Sequence, residues 1–193
     1  EMKIFGKEYG DLTPKQAQQI GVAIIHQELN MCRHLSVTEN MFLGREKQGG
    51  LALDNRAMEK EAKRILDDLK IDIDPRQTVG DLPVSKQQMV EIAKALSIHA
   101  KILIMDEPTA NLDYGNQYRV LETVRRLTEE GYTVLMSTHN PEHARRFAAD
   151  VLALKDGTVY ADGPSEETIT PALIEALYQI PAAVWEKDGR KEP

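Results

Sequence analysis

The chain has 193 residues, enough for one domain or for a domain with a small subdomain, and its 41% hydrophobic and 28% charged content is that of an ordinary globular protein rather than a disordered one. A net charge of −7 gives no support for a nucleic-acid partner, and no apolar run approaches a membrane span, so no direct membrane insertion is expected. No secretory signal is expected, and the lone Cys32 leaves no intrachain disulfide to form within this sequence; a reducing cytoplasm is the expected compartment, with the thiol a small buried or neutral group.

Met2–Phe5 reads as a short strand entering a turn at Gly6-Lys7-Glu8. Thr13-Pro14 has the form of a helix start, with threonine as N-cap and proline at the first helical position, and the device recurs at Asn140-Pro141 and Thr170-Pro171. The first of these helices should run to about Ile20, where Gly21 ends it. Val22–Ile25 is a continuous apolar run of the buried-strand kind, closing in His26-Gln27-Glu28. Ser36 or Thr38 can cap a short helix that ends at Gly44, and Gln48-Gly49-Gly50 is a loop. Between Asn55 and Leu69, Met58, Ala62, Ile65, Leu66 and Leu69 form one apolar stripe opposite a charged, solvated face. A further helix carries Met89, Ile92, Ala93 and Leu96 on its apolar side.

Ile102–Met105 shows no polar alternation, as in a strand buried on both faces of a parallel sheet. Asp106 and Glu107 follow at once, and Pro108 stops the strand. Open parallel sheets bind ligands just beyond the carboxyl ends of their strands, where this acidic pair sits. Adjacent strand residues point to opposite sides, so one carboxylate can hold Mg²⁺ while the other orients a nucleophilic water. Two solvated acids would be the reading of Asp-Glu alone; the apolar run, the proline and a further acid at Asp113 favour the functional one.

A helix from about Gly115 to Glu130 turns Val120, Leu121, Val124 and Leu127 inward, and Gly131 ends it. Tyr132–His139 is a β-rich strand ending in a histidine. Asp150–Gly163 is a hairpin turning at Asp156-Gly157, and helix Pro171–Tyr178 presents Leu173, Ile174 and Leu177. The charged tail Val184–Pro193 reads as a partial hairpin or a frayed end. His26 and His34 have no ligand spacing, and His99 and His143 read as surface or capping residues.

In order and spacing these stretches resemble the ATP-binding subunits of ABC transporters over nearly the whole chain. Ile102–Asp113 resembles the Walker B strand and D-loop, Val22–Glu28 the Q-loop, Asp81–Leu96 the signature motif and Tyr132–His139 the H-loop, while Leu35–Gly44 is similar to sugar-importer ATPases. The resemblance implies an α/β, P-loop-NTPase-like sheet with flanking helices: a core from residues 1–29 and 100–180, a helical subdomain at 30–99 that packs on the membrane component, and a tail at 181–193. It places Asp106 and Gln27 at Mg²⁺, Glu107 at the attacking water and His139, with Gln27, at the γ-phosphate. Asp113 would work across a dimer interface, and Ser85 and Gln87 would lie by the nucleotide. ATP and Mg²⁺ are the implied cofactors. The implied partners are permease subunits and a second ABC ATPase in a homo- or heterodimer, at the inner face of the cell membrane.

The chain departs from the family in two respects. Pro83 stands where the signature has serine, and Ser85 where it has glycine, adding a side chain where close backbone approach is wanted; Ser85 can still cap the helix or contact phosphate. No Gly-x-x-x-x-Gly-Lys-Ser/Thr run occurs, since Gly6-Lys7 lacks the earlier glycine and is followed by glutamate. In the family a stretch like Met2–Tyr9 follows the phosphate loop, so that loop, its strand and its helix are expected to be missing. Weak ATP binding and an uncovered sheet edge should result. Up to about Leu112 the similarity is to ribose-type importers; from Arg119 through Gly163 it is to iron-chelate or cobalamin importers, as in a hybrid gene or an unfamiliar branch. Two functions are therefore expected as alternatives. One is an ATP-binding and hydrolysing subunit, or a fragment of one, that couples hydrolysis to solute transport. The other is a degenerate, non-hydrolysing interaction module.

Overall fold

The computed structural model describes residues 2–50, 52–182, 185–187 and 190–192. Phe5 and Gly6 take positive φ (49° and 78°), the conformation of a two-residue hairpin turn, so Met2–Ile4 (β1) folds back antiparallel on Lys7–Tyr9 (β2). The short strand of the sequence is thus one arm of a hairpin whose second arm, three residues long, carries no readable pattern. Thr13 caps Pro14–Gln19 (α1) in a capping box with Gln16, and Gly21, at φ 86°, leads into Val22–Ile25 (β3).

Ser36, in a capping box with Glu39, starts Val37–Phe42 (α2); the other candidate, Thr38, instead donates its hydroxyl to the Pro75 carbonyl at 3.0 Å. Asn40 holds the preceding loop by the backbone of Cys32, accepting from its N–H at 2.8 Å and donating to its carbonyl at 3.0 Å. The Cys32 side chain itself is exposed, so of a buried or a neutral thiol the buried reading does not hold. Asp54 caps Asn55–Asp68 (α3), Val84–Ser97 (α4) follows, and then come Ile102–Met105 (β4), Tyr114–Glu129 (α5) and Thr133–Met136 (β5). The last strand stops three residues short of His139. Its neighbour β4 has already turned away at Asp106–Pro108, so no partner backbone remains beyond Ser137.

β3, β4 and β5 form a parallel sheet in that order, with Ile25, Met105 and Met136 level. Parallel neighbours need crossovers: α2–α4 connect β3 to β4, and α5 connects β4 to β5. Ala23, Ile25, Leu103 and Met105 project from one face into a core built with Met41, Leu66, Val90, Ile92, Val120 and Leu127. The opposite face carries Ile24, Ile102, Ile104 and Leu135, with Ile24 54% and Leu135 63% exposed. Burial on both faces, expected from the apolar run, is complete on one face only; on the other Val22 is buried, Ile102 and Ile104 are half-buried, and Ile24 and Leu135 are exposed.

The chain divides into two compact units, residues 1–137 and 138–193. The second contains Pro141–Phe147 (α6), the antiparallel pair Asp150–Lys155 (β6) and Thr158–Pro164 (β7), then Ser165–Thr168 (α7) and Pro171–Tyr178 (α8). Asp156 and Gly157, at φ 51° and 76°, make the expected turn. Ala153, Ile169, Leu173 and Ile174 give this unit its own small core. His143 is buried in α6 rather than on the surface, because the helix turns the face with His143 and Ala144 inward. Trp185–Lys187 (β8) pairs antiparallel with Arg190–Glu192 (β9), a partial hairpin; the remainder of the expected tail lies outside the described residues.

Leu103 is fully buried in the central strand. Leu103→Ala should cost about 2–5 kcal/mol in urea unfolding, whereas Leu135→Ala, on the open face, should leave the midpoint nearly unchanged.

Candidate functional site

Because the three strands end level, the residues that follow them share one rim. The ladder runs one step further than the strands: Asp106 N–H donates to the Ile25 carbonyl and Ser137 N–H to the Met105 carbonyl, both at 2.9 Å. Ser137 then does two things with one hydroxyl. Its Oγ–H donates to Asp106 Oδ1 at 2.7 Å, and its Oγ accepts the Glu107 N–H at 2.9 Å. The two neighbouring acids are thereby fastened to the adjacent strand end.

Glu107 is held at φ 43°, in the left-handed region. A non-glycine residue there costs about 1–3 kcal/mol and persists only where its surroundings over-determine it. Here the Ser137 bond fixes its N–H, and its carbonyl accepts the Ala110 N–H at 3.0 Å above the buried Pro108 and Thr109. Such strain is a mark of functional positions. Asp106 is exposed and Glu107 half-buried; Gln27, two residues past the end of β3, is exposed on the neighbouring strand end. The rim thus gathers Asp106, Glu107, Gln27 and Ser137. Ser137 was not among the residues singled out from the sequence. Its signal was present: a serine one step past a strand, opposite an acid across a parallel register.

Mg²⁺ takes one or two carboxylates and completes its shell with water and phosphate oxygens, rather than a cage made of protein alone. The rim fits that demand, with one exposed carboxylate at Asp106 and an amide oxygen at Gln27. Among the described residues no three His, Cys, Asp or Glu side chains gather as a self-sufficient cation site.

The other candidates sit elsewhere. His139 is exposed in the second unit, its backbone carbonyl accepting the Tyr178 hydroxyl at 2.6 Å. Asp113 is the N-cap of α5: its oxygens accept the Asn116 N–H at 2.9 Å and the Asn116 amide at 2.6 Å, and these bonds hold its carboxyl below the usual range. Ser85 does not cap α4. The helix begins at Val84 with Pro83 in the cap position, and no side chain caps it. Gln87 is buried and donates its amide to the Leu82 carbonyl at 2.7 Å, tying down the chain that enters the helix.

The profile of the ABC transporter family matches residues 1–110, more than half of the chain, and that of an AAA domain of the AbiEii toxin type matches residues 87–143. The chain belongs to the ABC transporter ATP-binding family. It is 42% identical over 159 residues to the galactose/methyl galactoside import ATP-binding protein of Escherichia coli, an alignment covering 82% of this chain and 31% of that protein. It is 40% identical over 176 residues to a Burkholderia lata protein provisionally named ribose/galactose/methyl galactoside import ATP-binding protein 1, covering 90% of this chain and 34% of that one. The chain therefore spans about a third of the length of these relatives. An ATP-binding cassette of an ABC transporter in its ADP conformation superposes with a TM-score of 0.78 at 22% identity, over 92% of this chain and 74% of the other. The fold is thus the mixed α/β fold of ABC ATPases, proteins that bind ATP with Mg²⁺.

Ser137→Ala removes a bond worth about 1–1.5 kcal/mol from the Glu107 amide. That amide should exchange with solvent about tenfold faster, with little change in melting temperature; Ser137→Thr should restore the protection.

Proposed function

We propose that residues 1–193 form the part of an ABC importer's ATP-binding subunit that furnishes its metal ligand and its water-polarising carboxylate. The observation that carries this is the Ser137 hydroxyl fixing Asp106 and a strained Glu107 at the rim of the sheet. Asp106 and Gln27 are the Mg²⁺ ligands, and the ion when bound neutralises charge on the ATP phosphates. Glu107 accepts a hydrogen bond from the attacking water and draws off its proton. His139 and Gln27 hydrogen-bond the γ-phosphate in the transition state. Asp113, already ordered as a helix cap, faces the dimer partner, and the first turn of α4 with Ser85 faces the partner's nucleotide, with Gln87 steadying its approach.

A cradle of backbone N–H groups and a lysine for the β- and γ-phosphates must come from outside the sequence given, which contains no such run. By likeness to the two importers, the solute is a sugar of the ribose or galactose kind. Residues 30–99 act as the helical subdomain that meets the permease, and the chain works at the cytoplasmic face of the membrane through that contact. Among its described residues, no helix is long and apolar enough to cross a membrane. The alternative of a non-hydrolysing interaction module draws support from α4, whose start has Pro83 and no side-chain cap.

Calorimetry with Mg-ATP tests the proposal on chain shown by circular dichroism to be folded. Weak, millimolar binding should disappear in Asp106→Ala and tighten when a subunit bearing a phosphate loop is added. A folded chain that shows no binding in either setting is not an ATPase component, and the interaction module is then the function left. In the assembled transporter, Glu107→Gln should lower kcat at least about a hundredfold while ATP affinity is kept.

A further inference from the structure

α4 carries two buried polar side chains with an unpartnered atom that the site does not use. Gln88 and Glu91 lie one turn apart, 5% and 8% exposed, and the Gln88 Nε2 and Glu91 Oε1 atoms are buried without a hydrogen-bond partner. Such groups cost stability and call for an explanation. Burial pushes the Glu91 carboxyl above its usual range, outweighing the opposing pull of Lys94, of the Asn30 backbone and of His26. The sign follows. Any advantage that Glu91 gives the fold is complete below the ordinary carboxylate range and is lost as pH rises through its raised value. At neutral pH the ionised side chain therefore works against stability.

What it touches gives the reason for its presence. Lys94 Nζ lies 3.6 Å from Glu91 Oε2 and donates to the Asn30 carbonyl at 3.1 Å. The loop is thus held at Asn30 by an ammonium that Glu91 steadies from the same face of α4. That loop, residues 26–31, leaves β3 carrying Gln27. The charged groups facing Glu91 are Lys94 on its own helix and His26 on this loop.

We propose that Glu91, with Lys94, is a positioning residue for Gln27: the pair clasps Asn30 to α4 and fixes the path of the loop that presents the glutamine at the rim. The importance of Gln27 rests on the ATPase proposal above; the clasp does not. A buried charge that lowers stability is retained because an apolar residue could not hold the loop.

The test uses backbone order parameters of Gln27–Asn30 in the nucleotide-free chain, measured by ¹⁵N relaxation at neutral pH. In the wild type the loop should be near the rigid value of about 0.85, and in Glu91→Leu it should fall below about 0.6. The melting temperature of that variant should hold steady or rise, because a buried charge is gone. Glu91→Gln keeps an acceptor oxygen beside the Lys94 ammonium and should retain an ordered loop. Should Glu91→Leu fail to fold, Lys94→Met, at a position with a partly exposed side chain, removes the other half of the clasp and should mobilise the same four residues. A wild-type loop already below about 0.6, or a folded variant with unchanged order parameters, overturns the proposal. Because no nucleotide is present, the result is independent of whether Mg-ATP binds.

Discussion

The level alignment of Ile25, Met105 and Met136 decides which residues share the rim, because side chains alternate along a strand and a slip of one residue would exchange the two faces. With that register, Ala23, Ile25, Leu103 and Met105 enter the core together, and Gln27, Asp106, Glu107 and Ser137 emerge together. Core and site are fixed by the same set of backbone hydrogen bonds. The two bonds beyond the formal strands, from Asp106 to Ile25 and from Ser137 to Met105, carry the alignment up to the residues of the candidate site.

Around this rim the structure accepts local costs. Glu107 sits in a backbone region suited to glycine, and Glu91 is an acid in an apolar setting. Glu107 is restrained by Ser137, thirty residues on, and Glu91 lies beside Lys94 of its own helix, which in turn bonds the Asn30 carbonyl. Elsewhere the capping boxes at Thr13 and Ser36 obey local rules, while Phe5, Lys70, His99, Asn111, Asp156 and Gln179 share the positive φ of Glu107.

Much of this was legible in the residues. The apolar runs at Val22–Ile25 and Ile102–Met105, each followed by polar groups, marked two of the three central strands and the acids at their ends. Thr13, Asn140 and Thr170, each followed by proline, marked three helix starts. What could not be read depended on contacts between distant segments. Ser137 meets Asp106 across 31 positions: its place one step past a strand was readable, but the register that sets it opposite the acid was not. β5 ends early because β4 has turned away, which is a property of the partner strand. Cys32 is exposed because Asn40 holds its backbone, and His143 is buried by the orientation of α6; composition is silent on both. For Ser85, the helix start was set by the preceding proline rather than by the hydroxyl.

The open face of the sheet bears on how the chain behaves in concentrated solution. Ile24, Ile102, Ile104 and Leu135 present a flat aliphatic surface that water wets poorly, and a second copy of the same face is a ready match for it. The net charge of −7 opposes that encounter, since approaching chains repel one another. This balance is colloidal rather than structural. Added salt screens the repulsion and acid removes it, while the aliphatic surface is unaffected by either.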